Sequence, residues 1–164
     1  MSFARAVLTM GLSLGASTAE AEQRDGTFVV DDQMVMISVV GSGEVMTTGP
    51  NAGDQTQVLS GPDIEILGFT EDEVSIDLLG IPALVAVVPG THTCEGASGN
   101  PVAYYVVWWS PAVTTDGPLT TCADLSLSFT NGAILLEEDP MGDGEFWSWA
   151  PARGFAEGVT EGAP

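Results

Sequence analysis

Val102-Ala103-Tyr104-Tyr105-Val106-Val107-Trp108-Trp109 is apolar at every position. Successive side chains of a β-strand point to opposite faces of its sheet, so a strand with one wet face alternates apolar with polar residues. This run does not alternate. It predicts a central strand covered on both sides. Trp108 and Trp109 then point in opposite directions, which would leave one of them exposed.

The flanking sequence continues the β pattern. Leu125, Leu127 and Phe129 alternate with Ser126 and Ser128, and Asn131-Gly132 separates them from Ala133 to Glu137. Asn-Gly between two such runs is a strong hairpin signal, because both residues tolerate the positive φ of a type I′ turn. Upstream, Thr27–Val30 and Met34–Val40 flank the turn-like Asp31-Asp32, and Glu44–Thr48 follows Gly41-Ser42-Gly43. Gln55–Ser60 and Asp63–Phe69 flank Gly61-Pro62, Ala83–Val88 is an apolar strand, and Glu145–Trp149 would be a last strand. Turn residues recur roughly every eight to twelve positions, as in an antiparallel β-sandwich or small barrel. The fold class read here is therefore all-β.

One segment reads two ways. Thr70-Glu71-Asp72-Glu73 has the capping-box pattern of a helix start, with Phe69 and Val74 placed as a hydrophobic staple. Yet Val74, Ile76 and Leu78 alternate with Ser75 and Asp77, which is strand period. The alternation favours a strand over 70–79.

The 164 residues include 3 Arg, no Lys, 1 His and 23 acids, for a formal net charge of -20. Nucleic-acid binding needs phosphate-neutralising Lys and Arg, and attraction to anionic membranes needs the same residues. Neither partner is expected. A lysine Schiff base and a Walker-type phosphate loop are excluded outright. Leu, Ile, Val and Phe supply 42 of the 164 residues, enough for a packed core. The charge favours a soluble monomer and opposes compaction by self-repulsion. Salt screens that repulsion within a Debye length of about 10 Å at 0.1 M. The melting temperature should therefore rise with NaCl and more steeply with CaCl₂. A thermal melt indifferent to both salts would discard the idea.

Residues 1–21 read as an export signal: Arg5 is the basic start, Ala6–Ala16 a short apolar run, and Ala19-Glu20-Ala21 an A-x-A cleavage site. The expected organisation is a signal peptide over 1–21, a single β domain over 22–157 and a flexible tail over 158–164, located in the periplasm or secreted. Export places Cys94 and Cys122 in an oxidising space, where an even count without a redox motif predicts one disulfide. A metal site using His92, Cys94 and Cys122 is the alternative, and blue-copper chemistry is ruled out because it needs two His.

Gly90-Thr91-x-x-Cys94, a Tyr at 104 or 105, Thr121-Cys122-Ala123-Asp124-Leu125, an apolar hairpin and a Trp-rich end together resemble small exported bacterial β-rich proteins of unknown function. The resemblance covers under half of the chain. It implies a periplasmic β domain with a Cys–Cys staple and carries no known activity.

Candidate chemistry is sparse. Ser42 and Ser98 each sit among glycines, but neither completes a Gly-x-Ser-x-Gly elbow, and a triad would have to use His92. No catalytic residue is assigned. A hydrolase using a carboxylate pair is an alternative that the abundance of acids makes unspecific. Asp139, Asp143 and Glu145 fall in an acidic, glycine-containing stretch that could hold Ca²⁺ weakly, and no other cofactor is expected. Trp147 and Trp149 would share one face of a strand, roughly 6.5–7 Å apart. They could stack on sugar rings, with Arg153 lying over an indole. The function expected is a non-enzymatic binding or interaction module of unknown ligand, with a carbohydrate-binding surface at Trp147 and Trp149 as an alternative.

Overall fold

The computed structural model describes residues 26–70, 73–95, 99–138, 144 and 146–158. Their fold is all-β and antiparallel, with one short helix. The first four strands, β1 (Thr27–Val30), β2 (Gln33–Val40), β3 (Gly43–Gly49) and β4 (Thr56–Gly61), form one sheet in chain order. A second sheet contains β5 (Glu65–Phe69), β6 (Ala83–Pro89), β7 (Val102–Trp109) and β8 (Val113–Thr121), with α1 (Glu73–Leu79) between its first two strands. The third contains β9 (Ser126–Thr130), β10 (Ala133–Glu137), β11 (Phe146–Ala150) and β12 (Gly154–Glu157).

The second sheet is the middle layer. Leu84, Ala86, Val88 and Val107 project from one face into a cluster with Val30, Val35, Met46 and Leu59 of the first sheet. Ala83, Val85, Tyr104 and Val106 project from the other face onto Ile134, Leu136 and Trp149 of the third sheet, with Leu79 of α1. The register Leu84↔Val107 and Val85↔Val106 keeps the two sets apart. Both faces of β7 are thus buried, which is the reason its sequence does not alternate. Trp108 and Trp109 do point to opposite faces, but each is half-buried between layers and neither is exposed.

Three local readings change. Residues 73–79 are helical, so the favoured strand over 70–79 is corrected. Ile76 is half-buried three residues before the buried Leu79, while Leu78 is 39% exposed. The apparent alternation therefore included a leucine that faces water. Gly80, at φ 83°, ends the helix, and its N–H donates to the Ile76 carbonyl in the left-handed cap that glycine favours. The hairpin at Asn131-Gly132 forms, with Thr130 opposite Ala133, but only Gly132 has positive φ. The pair of positive φ values that marks a type I′ turn belongs instead to Asp31 (44°) and Asp32 (61°), between β1 and β2.

The third difference is a strand not expected above, β8, which contains Asp116-Gly117-Pro118. Tyr104 pairs with Leu119 and Val106 with Asp116, so Gly117 and Pro118 together oppose one residue of β7. This is a β-bulge on an edge strand, where proline is tolerated. Gly117 has φ 128°, and a Cβ there would lie 2.8 Å from the Tyr104 carbonyl oxygen. Among the described residues, no helix is long and apolar enough to cross a membrane.

Candidate functional site

The two ends of the middle sheet carry different chemistry. At one end, Cys94 and Cys122 form the predicted disulfide, with Cα atoms 5.7 Å apart. Pro89, Val102 and Thr121 lie in register there, and Gly90 N–H donates to the Pro101 carbonyl at the base of the β6–β7 connection. Tyr104 anchors the other partner. Its hydroxyl donates to the Ala123 carbonyl at 3.2 Å and accepts from Leu125 N–H at 2.8 Å. Burial pushes the Tyr104 phenol above the usual tyrosine value; the Leu125 hydrogen bond opposes this, and the charges of Asp124 and Glu65 add to it. The neutral phenol therefore contributes stability below the unfolded-state value, which is lost as pH rises through the folded one. His92 is half-buried, its Nε2 3.1 Å from the Thr121 carbonyl oxygen and 3.5 Å from Cys122 Sγ.

Between the middle and third sheets, the bulge aims Asp116 at two indoles. Its Oδ2 accepts from Trp108 Nε1 at 3.2 Å and from Trp149 Nε1 at 2.9 Å, and the two ring systems are 5.9 Å apart. Trp147 and Trp149 share the inward face of β11. Trp149 is 0% exposed and Trp147 packs against the same core, so the expected sugar platform on this pair is corrected: those rings are structural. Arg153 does not join them. Its Nη2 donates to Ser148 Oγ at 2.7 Å, and Ser148 alternates with the two tryptophans on the opposite face of the strand. The proposed calcium ligands Asp139, Asp143 and Glu145, the signal segment 1–21, Ser98 and tail residues 159–164 lie outside the described residues.

A cleft of about 300 Å³ opens at the other end of the middle sheet, on the seam with the first. Asp31 of the β1–β2 turn, Thr48 of β3, Asp54 of the β3–β4 loop, Pro82, Trp109 of β7 and Pro111 are among its lining residues. Thr48 has the same strand parity as the buried Met46 and stands opposite the buried Val35, so its side chain enters the seam. Trp109 is held by its backbone N–H, which donates to the Pro82 carbonyl at 3.1 Å. The loop is braced: Asn51 Nδ2 donates to Asp54 Oδ2 at 3.1 Å, and Gln55 Nε2 to the Asn51 carbonyl at 3.0 Å.

Two of the residues that line this cleft each carry a buried, unpaired polar atom. Thr48 Oγ1 and Trp109 Nε1 are buried and have no hydrogen-bond partner. Each unpaired buried group costs about 1–3 kcal/mol, and buried polar atoms are paired in the great majority of cases. Asp31 and Asp54 are exposed at the rim, and among the described residues the cleft is lined by no basic one. Nothing in the sequence assigns these residues to a common site. Their one local signal was Trp109, which closes an apolar run immediately before Ser110-Pro111. Their convergence joins segments far apart in the chain.

No protein-family model matches the chain, and neither the curated proteins nor the solved structures contain a significant match to it.

Proposed function

We propose that this protein is an exported, non-enzymatic binding module whose ligand site is the cleft at Trp109, and that the ligand is small, uncharged and rich in hydroxyl groups, as a sugar is. The observation that carries this reading is the pair of orphaned buried groups, Thr48 Oγ1 and Trp109 Nε1, at one acidic cleft. An indole N–H needs an acceptor, whereas Asp31 and Asp54 need donors. A hydroxyl serves as both. A purely cationic ligand has no acceptor for Trp109, and an anion would be repelled by both carboxylates. Pro50, Pro82, Pro111 and Val113 add apolar wall for the C–H face of a ring. The volume is at the lower end of the roughly 300–1,000 Å³ range of ligand pockets, which suits one or two rings.

Asp31 and Asp54 lie in the same cleft, the arrangement a carboxylate-pair hydrolase would use. Both are exposed, and an acid catalyst of that kind depends on desolvation to hold its proton. Binding is therefore the better reading.

Tryptophan fluorescence titrated with neutral mono- and disaccharides, with acidic sugars and with amines as comparisons, tests it. A neutral saccharide should perturb the emission. Trp109→Phe keeps an aromatic ring but removes the N–H donor, and should weaken binding about tenfold, the equivalent of 1.4 kcal/mol, as read by titration calorimetry because the variant lacks the reporting indole. Trp109→Phe binding as tightly as the parent, or a response only to amines, would overturn the assignment. Export has a separate test. The secreted chain should begin at Glu22 by mass spectrometry, and a cytosolic chain still carrying residues 1–21 would contradict it.

A further inference from the structure

At the end of the middle sheet opposite the cleft, three soft donors meet. One ligand atom each from His92, Cys94 and Cys122 lies within 4.8 Å of the other two, and all three residues are half-buried. His92 Nε2 faces the Thr121 carbonyl oxygen, so in the neutral ring it carries the proton. That leaves Nδ1 deprotonated, buried and without a partner.

We propose that, once the Cys94–Cys122 bond is reduced, His92, Cys94 and Cys122 form a three-ligand site for a thiophilic metal ion, Zn²⁺ in the first instance. Zn–S bonds of about 2.3 Å and Zn–N bonds of about 2.0–2.1 Å at a tetrahedral angle place sulfur and nitrogen about 3.5–3.6 Å apart. His92 Nε2 and Cys122 Sγ are already 3.5 Å apart. Two thiolates and one imidazole leave a fourth position for water, as in open zinc sites. The reductant is an external dithiol. It cleaves the S–S bond by exchange, delivers two electrons and two protons to the two sulfurs, and leaves as a cyclic disulfide. Zn²⁺ then displaces one proton from each thiol, and the proton on His92 Nε2 moves to Nδ1. Two protons are released per ion bound. Reoxidation is the reverse exchange: a small-molecule disulfide takes two electrons from the two thiolates and two protons from solvent, and leaves as a dithiol. The re-formed Cys94–Cys122 bond releases the metal, so the corner acts as a redox-gated metal site independent of the cleft.

The full chain, oxidised or reduced without oxygen, should be titrated with Co²⁺ and then with Zn²⁺. The reduced protein should take up one Co²⁺ with tetrahedral ligand-field bands and thiolate-to-cobalt charge transfer, and Zn²⁺ should displace it. The oxidised protein should show neither band. His92→Ala retains both thiols and should weaken Zn²⁺ binding at least about tenfold, or 1.4 kcal/mol. Octahedral Co²⁺ alone, which the acidic surface would bind, or equal affinity in His92→Ala, overturns the proposal. Circular dichroism covers loss of the fold on reduction. Refolding on Zn²⁺ addition supports the site, and a chain that stays unfolded with Zn²⁺ refutes it.

Discussion

Trp149→Ala should lower the free energy of unfolding by about 3–5 kcal/mol, the usual loss for a large aromatic removed from a core. Trp149 is 0% exposed and lies in the cluster shared by the middle and third sheets. Its removal opens a cavity between two layers whose other buried members, Val85, Val106, Ile134 and Leu136, belong to strands fixed by their own ladders. Those strands cannot collapse freely into the gap. The substitution also takes the shorter of two donors from Asp116. Trp149→Phe separates the contributions. It keeps most of the ring volume and forfeits the charge-assisted hydrogen bond, for a smaller loss of about 1.5–3 kcal/mol. Urea unfolding followed by far-ultraviolet circular dichroism reads both. A domain of this size is stable by only about 5–15 kcal/mol, so the alanine variant should melt far below the parent. A loss under about 1 kcal/mol would mean that Trp149 is not in the core, and the three-layer packing would fall with it.

Replacing both cysteines by alanine should cost about 3.5 kcal/mol in the chain-entropy account of a loop of this length. The two residues are 28 apart in sequence. The effect should be uneven. Tyr104 holds the Cys122 side through Ala123 and Leu125, and Thr121 Oγ1 accepts from Ala123 N–H at 3.1 Å. The Cys94 side belongs to the β6–β7 connection, tied at its base by Gly90 and Pro101. Hydrogen exchange should therefore quicken across that connection more than across residues 122–125. Equal stability with and without the bond, or quickening confined to residues 122–125, would show that the staple is not what holds this corner.

Much of the strand map could be read directly from residue order. Val102–Trp109 and Ala133–Glu137 fall where alternation and turn residues put them, and the unbroken apolar run of β7 signals a strand with two buried faces. The disulfide was legible from the even count of cysteines together with the expectation of export. Residues 73–79 misled because Leu78, an apolar residue, faces water. A period-2 pattern cannot distinguish a core leucine from an exposed one. The edge strand β8 was hidden because Asp116-Gly117-Pro118 has the composition of a turn. In the structure that composition serves a bulge, which turns Asp116 toward Trp108 and Trp149.

The functional residues were far less legible. Trp147 and Trp149 have the spacing of a stacking platform, but spacing along a strand does not specify which face meets the third layer. Most strand positions, the antiparallel class and the cysteine pairing follow from residue order, because they depend on local backbone preference and on a count. The burial of Trp149, the cleft where Thr48, Asp54 and Trp109 converge, and the approach of His92 Nε2 to Cys122 Sγ exist only in the folded chain. They depend on how sheets stack and bring distant segments together, and that is settled by packing across layers.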